Sequence, residues 1–270
     1  MIRALLLAAL ACFASASIAA AQQTTPFTPE EGLPGKDVVW VPTPPAVVER
    51  MMDLAKVTPR DVVVDLGSGD GRNVIAAARR GARAIGVEFN PDLVNLSRQR
   101  AREAGVARRA TFVQHDMFTY DFSKATVMAL FLLPSNLLQL RPKLLALAPG
   151  SRIVSNTFLI QDWMPDDSVS LESGCEMWCE AILWIVPAQV QGTWRFAGGS
   201  LSLTQTYQMV SGSMTRGGET LAVSGRLRGD GLTLSAGGRE WAGRVAGNRL
   251  TLASGAGPAR ASLTARRATR

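Results

Sequence analysis

The sequence predicts a doubly wound α/β domain with a mostly parallel sheet, followed by a small all-β module. Residues 62–74 read as strand, glycine loop and helix, which is the first unit of such a sheet. Further apolar runs alternate with helical segments up to about residue 157. From residue 190 the chain changes to short strands separated by Gly-Gly, Gly-Asp and Gly-Asn turns, which indicates antiparallel hairpins.

The most informative segment is VVVDLGSGDGRNV, residues 62–74. Its β-branched run is typical of a buried parallel strand, which ends near Asp65. Gly67, Gly69 and Gly71 follow, and residues without a Cβ let the backbone approach a ligand closely. The N–H groups that open the next helix attract a carboxylate or phosphate. A ligand site is therefore predicted where this strand ends.

The next strand ends in Glu88, 23 positions after Asp65. An acidic residue at this place typically binds the ribose hydroxyls of a nucleotide-like cofactor. Two cofactors compete, a dinucleotide and S-adenosylmethionine (SAM). The dinucleotide fingerprint is G-x-G-x-x-G, whereas the third glycine here comes one residue early. With Asp65 opening the loop, this departure resembles the class I SAM-dependent methyltransferases, and SAM is favoured.

Hydrophobic periodicity and breaker residues define the other elements. Helices are predicted at residues 46–56, 73–80, 91–104 and 137–147, and strands at 62–66, 84–87, 111–114, 126–132, 152–157, 168–171 and 181–186. In residues 188–270 a glycine-turn motif recurs at 192–203, 225–234 and 243–252, with a weaker copy at 212–223. This recurrence predicts about eight strands in an antiparallel meander, either an open sheet or a small barrel.

The amino terminus predicts export. Residues 1–21 combine Arg3, an apolar core and three alanines before Gln22, which is the pattern of a cleaved signal peptide. Residues 22–36 are predicted to be a flexible lead-in. The mature chain, without a transmembrane span, is then expected in the periplasm or cell envelope. An unprocessed amino terminus would leave it in the cytoplasm.

Cys175 and Cys179 are the cysteines that remain after such cleavage. Export permits a disulfide, but in an extended strand these positions lie about 13 Å apart, which is too far for a bond. A bridge needs a turn or helix between them, and two small core thiols are an equally compatible interpretation. Together with one distant histidine, His115, the pair does not match a zinc site, so no metal is predicted.

Charge is unevenly placed along the chain. Residues 1–187 carry 18 basic and 19 acidic side chains, whereas residues 188–270 carry 11 and 3, a net charge of +8. A basic module can bind an anionic surface, and this one could instead cover the substrate entrance. A solvated arginine-rich surface is the simpler interpretation. No nucleic-acid motif is present, so no nucleic-acid partner is expected.

Residues 37–187 resemble the class I methyltransferases, which have a Rossmann-like fold. More narrowly, they resemble a small family of lysine methyltransferases whose mitochondrial members act on the c-subunit of ATP synthase and on the adenine nucleotide translocase. The shared segments are DVVWVPTP at 37–44, DLGSGDGR at 65–72, GVEFNP at 86–91, a Leu-Leu-Pro turn at 132–134, and PGSRIVSNTF at 149–158 with Trp163.

The resemblance implies residue roles. The SAM contacts would be the loop residues Asp65, Gly67, Ser68, Gly69, Asp70 and Gly71, then Glu88 on the ribose and Asp116 on the adenine amino group. Substrate contacts would come from Pro134, Ser135 and Asn136. The Asn-Pro-Pro-Tyr signature of nucleobase amino methylation is absent.

The expected function is therefore SAM-dependent methyl transfer to a nucleophile, with a protein lysine as the candidate acceptor. Positioning can suffice for this reaction, so no catalytic residue is predicted, and His115 is interpreted as structural. The alternative is an exported protein of the cell envelope that keeps the fold as a ligand-binding or structural module without the chemistry.

Overall fold

The computed structural model describes residues 27–255 and 261–268, so the predicted signal peptide lies outside the described residues. The first domain contains four helices, α1 (Pro45–Leu54), α2 (Arg72–Arg79), α3 (Pro91–Glu103) and α4 (Pro134–Leu145). Its strands are β1 (Val62–Leu66), β2 (Arg83–Glu88), β3 (Ala110–Gln114), β4 (Val127–Leu130), β5 (Arg152–Asn156), β6 (Asp167–Ser170) and β7 (Glu180–Ile185).

These strands form one sheet in the order β3-β2-β1-β4-β5-β7-β6, in which β7 runs antiparallel to both of its neighbours, β5 and β6. The predicted α/β fold is confirmed. The main difference is α4, which begins at Pro134 rather than Leu137. Proline is favoured in the first helical turn because its missing N–H is not needed there, so residues predicted as a loop form the start of this helix.

The sheet is covered on both faces, which explains its nearly continuous apolar strands. Val63 packs in one core with α1, α2 and α3, while its neighbour Val64 packs in the other with α4. This alternation follows from the two-residue period of a strand. The sheet is thereby held rigidly, and the loops at its carboxyl edge inherit fixed positions.

The second domain is a closed barrel of eight antiparallel strands, so the barrel alternative of the sequence prediction is the one observed. The strands are β8 (Gly192–Phe196), β9 (Gly199–Thr206), β10 (Met209–Arg216), β11 (Glu219–Arg228), β12 (Gly231–Ala236), β13 (Arg239–Ala246), β14 (Arg249–Ser254) and β15 (Ala261–Arg267). Alternate residues point inward and form an apolar core around Trp194 and Trp241. The last strand pairs with the first and closes the barrel.

The barrel docks at the amino-terminal edge of the parallel strands. Asp166, whose side chain is fully buried, accepts hydrogen bonds from the Ile185 N–H and from Arg226 of the barrel, both at 2.8 Å. Tyr207 stacks on Trp163 with ring centroids 5.8 Å apart. Ile185 pairs with the first residue of β5, so these contacts lie opposite the edge where ligands bind. The interpretation that the barrel covers the substrate entrance is therefore wrong.

Within residues 27–255 and 261–268, no helix is both long enough and apolar enough to cross a lipid bilayer.

Candidate active site

A cleft opens at the carboxyl ends of the central strands, where the strand order reverses between β1 and β4. The empty space of this cleft is about 620 Å³, a volume that includes space open to solvent. Its lining comes from the glycine loop, from the ends of β2, β3 and β4, and from residues 33–41, which we call the covering segment.

The covering segment folds back over the cleft. Gly32 N–H donates to the Trp40 carbonyl and Trp40 N–H donates to the Leu33 carbonyl, each at 2.9 Å. Lys36 forms an ion pair with Asp116 across the cleft, with Nζ 2.9 Å from Oδ2. The last residues of the predicted lead-in are thus part of the lining, which no local sequence pattern had indicated.

The glycine loop has no room for side chains at two positions. Gly69 has φ +52°, and a Cβ added there would lie 2.5 Å from Nε1 of Trp40. Gly71 has φ +82° and directly precedes α2, and a Cβ added there would lie 2.8 Å from the Phe112 ring. Such distances are below any normal contact, so only glycine permits the loop to pack here while its φ angles stay positive.

Glu88 links the glycine loop to the loop that follows β2. Its carboxylate accepts one hydrogen bond from the Gly69 N–H and another from the Asn90 N–H, each at 2.9 Å. Each carboxylate oxygen retains a second lone pair, and Glu88 lines the cleft. This position allows the predicted contact with ribose hydroxyls, which stays a prediction.

Asp65 is buried beneath the loop. Burial raises its pKa well above the ordinary value of 3.8, against the opposing effect of a 3.2 Å hydrogen bond from Asn73. The negative charges of Glu88 and Asp70 raise the pKa further. Two nearby buried oxygens, Ser68 Oγ and Asn73 Oδ1, have no hydrogen-bond partner among the described residues. Buried polar atoms normally have partners, so these two oxygens leave hydrogen-bonding capacity beneath the loop for a polar ligand.

Asp70 faces away from the cleft. Its buried carboxylate forms ion pairs with Arg72, at 2.6 Å, and with Arg100. Burial alone would raise the pKa of Asp70, but these two arginines outweigh it and hold the pKa below the ordinary range. In this structure Asp70 therefore anchors the loop to α2 and α3, and it is not brought together with the lining residues.

Asp116 lies beside the cleft and is already bonded. The hydrogen bond from Lys36, followed by that from the Phe118 N–H, lowers the pKa of its carboxyl group. Neighbouring His115 lines the cleft, places Nδ1 2.9 Å from the Asp116 carbonyl oxygen and meets Tyr120 edge-on. These contacts agree with a structural role for the histidine.

The predicted substrate residues form the first turn of α4. Pro134 and Ser135 are exposed, whereas Asn136 is buried and its Oδ1 has no partner among the described residues. Beside this turn lie three aromatic side chains that the sequence analysis did not single out as binding residues. Phe131, Phe158 and Trp178 have ring centroids 5.3–5.9 Å apart, and we call them the ring group.

Trp178 stands in a short loop closed by a disulfide between Cys175 and Cys179, whose Cα atoms are 5.7 Å apart. The turn between the cysteines brings them within bonding distance, as the disulfide interpretation required. The bond fixes the backbone on both sides of Trp178.

Comparison with known proteins agrees with this geometry. The profile of the ANTKMT methyltransferase domain matches residues 65–167. A protein-lysine N-methyltransferase of Saccharolobus islandicus is 42% identical over 140 residues, which are 51% of this chain and 87% of that protein. The chain belongs to this methyltransferase family. A human lysine N-methyltransferase named for the c-subunit of ATP synthase is 38% identical over 145 residues, but the match covers only 60% of that enzyme and 53% of this chain.

A solved structure of a similar protein contains a ligand that identifies the class of cofactor. An RNA methyltransferase from Salinibacter ruber, crystallised with S-adenosyl-L-homocysteine, is 49% identical, with a TM-score of 0.52. The match covers 96% of that chain and 56% of this one. The chain is thus a SAM-dependent methyltransferase, and the non-catalytic alternative gains no support. The profile match ends before the barrel begins.

Gly69→Ala and Glu88→Ala should each weaken SAM binding at least tenfold, about 1.4 kcal/mol. The first variant pushes Trp40 off the loop, and the second releases two N–H groups that shape the cleft. Titration calorimetry measures both affinities. Gly105→Ala is the matched control, because Gly105 also has a positive φ, +70°, but open space around it. Equal losses in Gly69→Ala and Gly105→Ala would contradict the packing explanation.

Asp65→Asn should stabilise the cofactor-free protein at neutral pH. The raised pKa of Asp65 means that the folded protein keeps this proton where the unfolded chain has lost it. The free energy of unfolding therefore falls as pH rises from about 3.8 towards the raised pKa, and the amide removes this component. Urea unfolding of both proteins at several pH values measures the difference. A difference that does not grow with pH would refute this assignment.

Proposed function

We propose that this methyltransferase acts on the side-chain amine of lysine in a protein. Two relatives that match the first domain bear lysine methylation in their names, one from Saccharolobus islandicus and one human. The charge of a groove next to the cleft also supports this proposal. Glu31 and Glu176 border a groove that Trp178 also lines, next to the disulfide loop. Exposed carboxylates attract a lysine-bearing segment and repel a phosphate backbone.

The residues of this chain contribute mainly by holding the reactants in position. The covering segment closes one side of the cleft, and the glycine loop with Glu88 orients the cofactor against the end of β4. SAM, when bound, supplies an activated methyl group on a sulfonium. The lysine ammonium would first lose a proton to bulk water, and the lone pair of the resulting amine would then form the N–C bond as the S–C bond breaks. The positive charge passes from sulfur to nitrogen.

Wild-type protein should transfer the methyl group of labelled SAM to poly-L-lysine and not to poly-L-arginine. Amino-acid analysis of the hydrolysed product locates the label on the Nε atom. Gly69→Ala should lower the rate, and Gly105→Ala should leave it close to wild type. Labelling of an RNA oligomer without labelling of poly-L-lysine would overturn the proposal in favour of the activity named for the Salinibacter protein.

We infer, in addition, that the barrel binds an anionic surface. Arg195, Arg266 and Arg249 lie directly opposite one another on β8, β15 and β14. Like charges facing each other across strands are destabilising. None of the three forms an ion pair within the described part of the chain. A negatively charged partner would remove this repulsion.

Replacing Arg195 and Arg249 together by Gln should weaken binding to vesicles of anionic lipid about tenfold or more, since each arginine near such a surface contributes about 1 kcal/mol. Co-sedimentation with vesicles at several salt concentrations measures the affinity. The control is the double change Arg60→Gln and Arg108→Gln, which alters net charge equally on exposed parts of the first domain. Similar losses in both double variants would mean that only net charge matters.

A further inference from the structure

The ring group lies between the cofactor cleft and the acidic groove. Phe131 directly follows β4 and is itself part of the cofactor cleft lining. Phe158 follows β5, and Trp178 comes from the disulfide loop. All three side chains are partly exposed, so the ring group is open to a ligand. It therefore connects the cofactor cleft with the acidic groove.

The three rings lie close together and differ in tilt. Phe131 and Phe158 are nearly parallel, at 19°, and Trp178 is inclined to them by 60° and 48°. Because the centroids are only 5.3–5.9 Å apart, a single cation can come within about 6 Å of more than one ring. That is the range over which the negative ring faces attract an ammonium group.

The backbone that presents two of the rings is constrained. Thr157, just before Phe158, has φ +60°, and Trp178 itself has φ +61°. Left-handed conformations of residues with side chains are unfavourable and persist where the surroundings enforce them. Here the Thr157 N–H donates to the Glu180 carbonyl, and the disulfide closes the loop around Trp178. The backbone at Thr157 and Trp178 therefore stays in an unfavourable conformation in which Phe158 and Trp178 are close to each other.

We propose that the ring group binds the ammonium group of the acceptor side chain, in its free and methylated forms. This proposal rests on lysine as the acceptor. Glu31 and Glu176 at the groove supply the charge complement, and the alternative of a stacked nucleobase would require cations for its phosphates. Methylation makes the ammonium larger and more weakly hydrated, which strengthens its contact with aromatic faces. The methylated product is therefore a better probe of this site than lysine.

The binding experiment uses full-length protein saturated with S-adenosylhomocysteine and titrated with Nα-acetyl-Nε-trimethyl-lysine amide. Trp178→Leu keeps an apolar side chain but removes the ring, and it should weaken binding roughly tenfold. Trp178→Phe should restore most of the affinity. Met164→Ala is the control, because Met164 is 72% exposed and lies outside both the ring group and the lining of the acidic groove. The affinity for S-adenosylhomocysteine should stay within twofold in all four proteins, which shows that each is folded.

Several outcomes would overturn the proposal. These are no measurable binding to wild type, equal binding of the neutral Nα-acetyl-norleucine amide, or equal binding to wild type and Trp178→Leu. Binding of an adenosine oligomer that depends on Trp178, without binding of the amine, would identify a base-stacking platform instead. The poly-L-lysine assay separates the two proposals. Trp178-dependent amine binding without methyl transfer would refute only the lysine activity, and transfer that is indifferent to Trp178 would refute only the ring group.

Discussion

At Gly69 and Gly71 the glycine loop lies so close to Trp40 and Phe112 that a Cβ at either position would overlap a ring. This close packing fixes the positions of the covering segment, β3 and Glu88 relative to the loop. The loop is drawn against the covering segment on one side and against β3 on the other, and the Gly69 N–H thereby reaches Glu88. A wider loop would separate β1 from the parts that complete the cleft. The absence of a Cβ at Gly69 and Gly71 is therefore needed to form the cleft itself, whether or not these residues contact the cofactor.

The two edges of the parallel sheet have different neighbours. The carboxyl edge carries Glu88 in the cofactor cleft and, in the adjoining groove, Glu176. The amino edge holds the barrel with its arginines, through the buried Asp166 and the stacked pair of Trp163 and Tyr207. Because the edges are opposite each other, the proposed anionic surface and the proposed acceptor would bind without competing.

The parts of the protein that follow from short-range patterns were predictable. The strand, glycine loop and helix around Asp65, the acid that ends β2 and the recurrent hairpins each carry their information within a few residues. Contacts between distant segments have no such pattern, so the role of Lys36 beside Asp116 and the meeting of Phe131, Phe158 and Trp178 were not foreseen. Asp70 shows the converse, because its motif position suggests a ligand contact while its side chain pairs with arginines.

The predicted export stays a prediction. A disulfide such as Cys175–Cys179 is a bond that an oxidising compartment maintains.

Pairing of β15 with β8 brings the two ends of the barrel segment together. The first and last strands of the barrel are neighbours, with Arg266 opposite Arg195, so the module begins and ends at nearly the same place. A unit with adjacent termini can be joined to a host, or inserted into one of its surface loops, without stretching either chain. All its strands are paired, so it brings no open sheet edge to its host. The barrel is therefore closed on itself around its own core, and its two chain connections lie side by side.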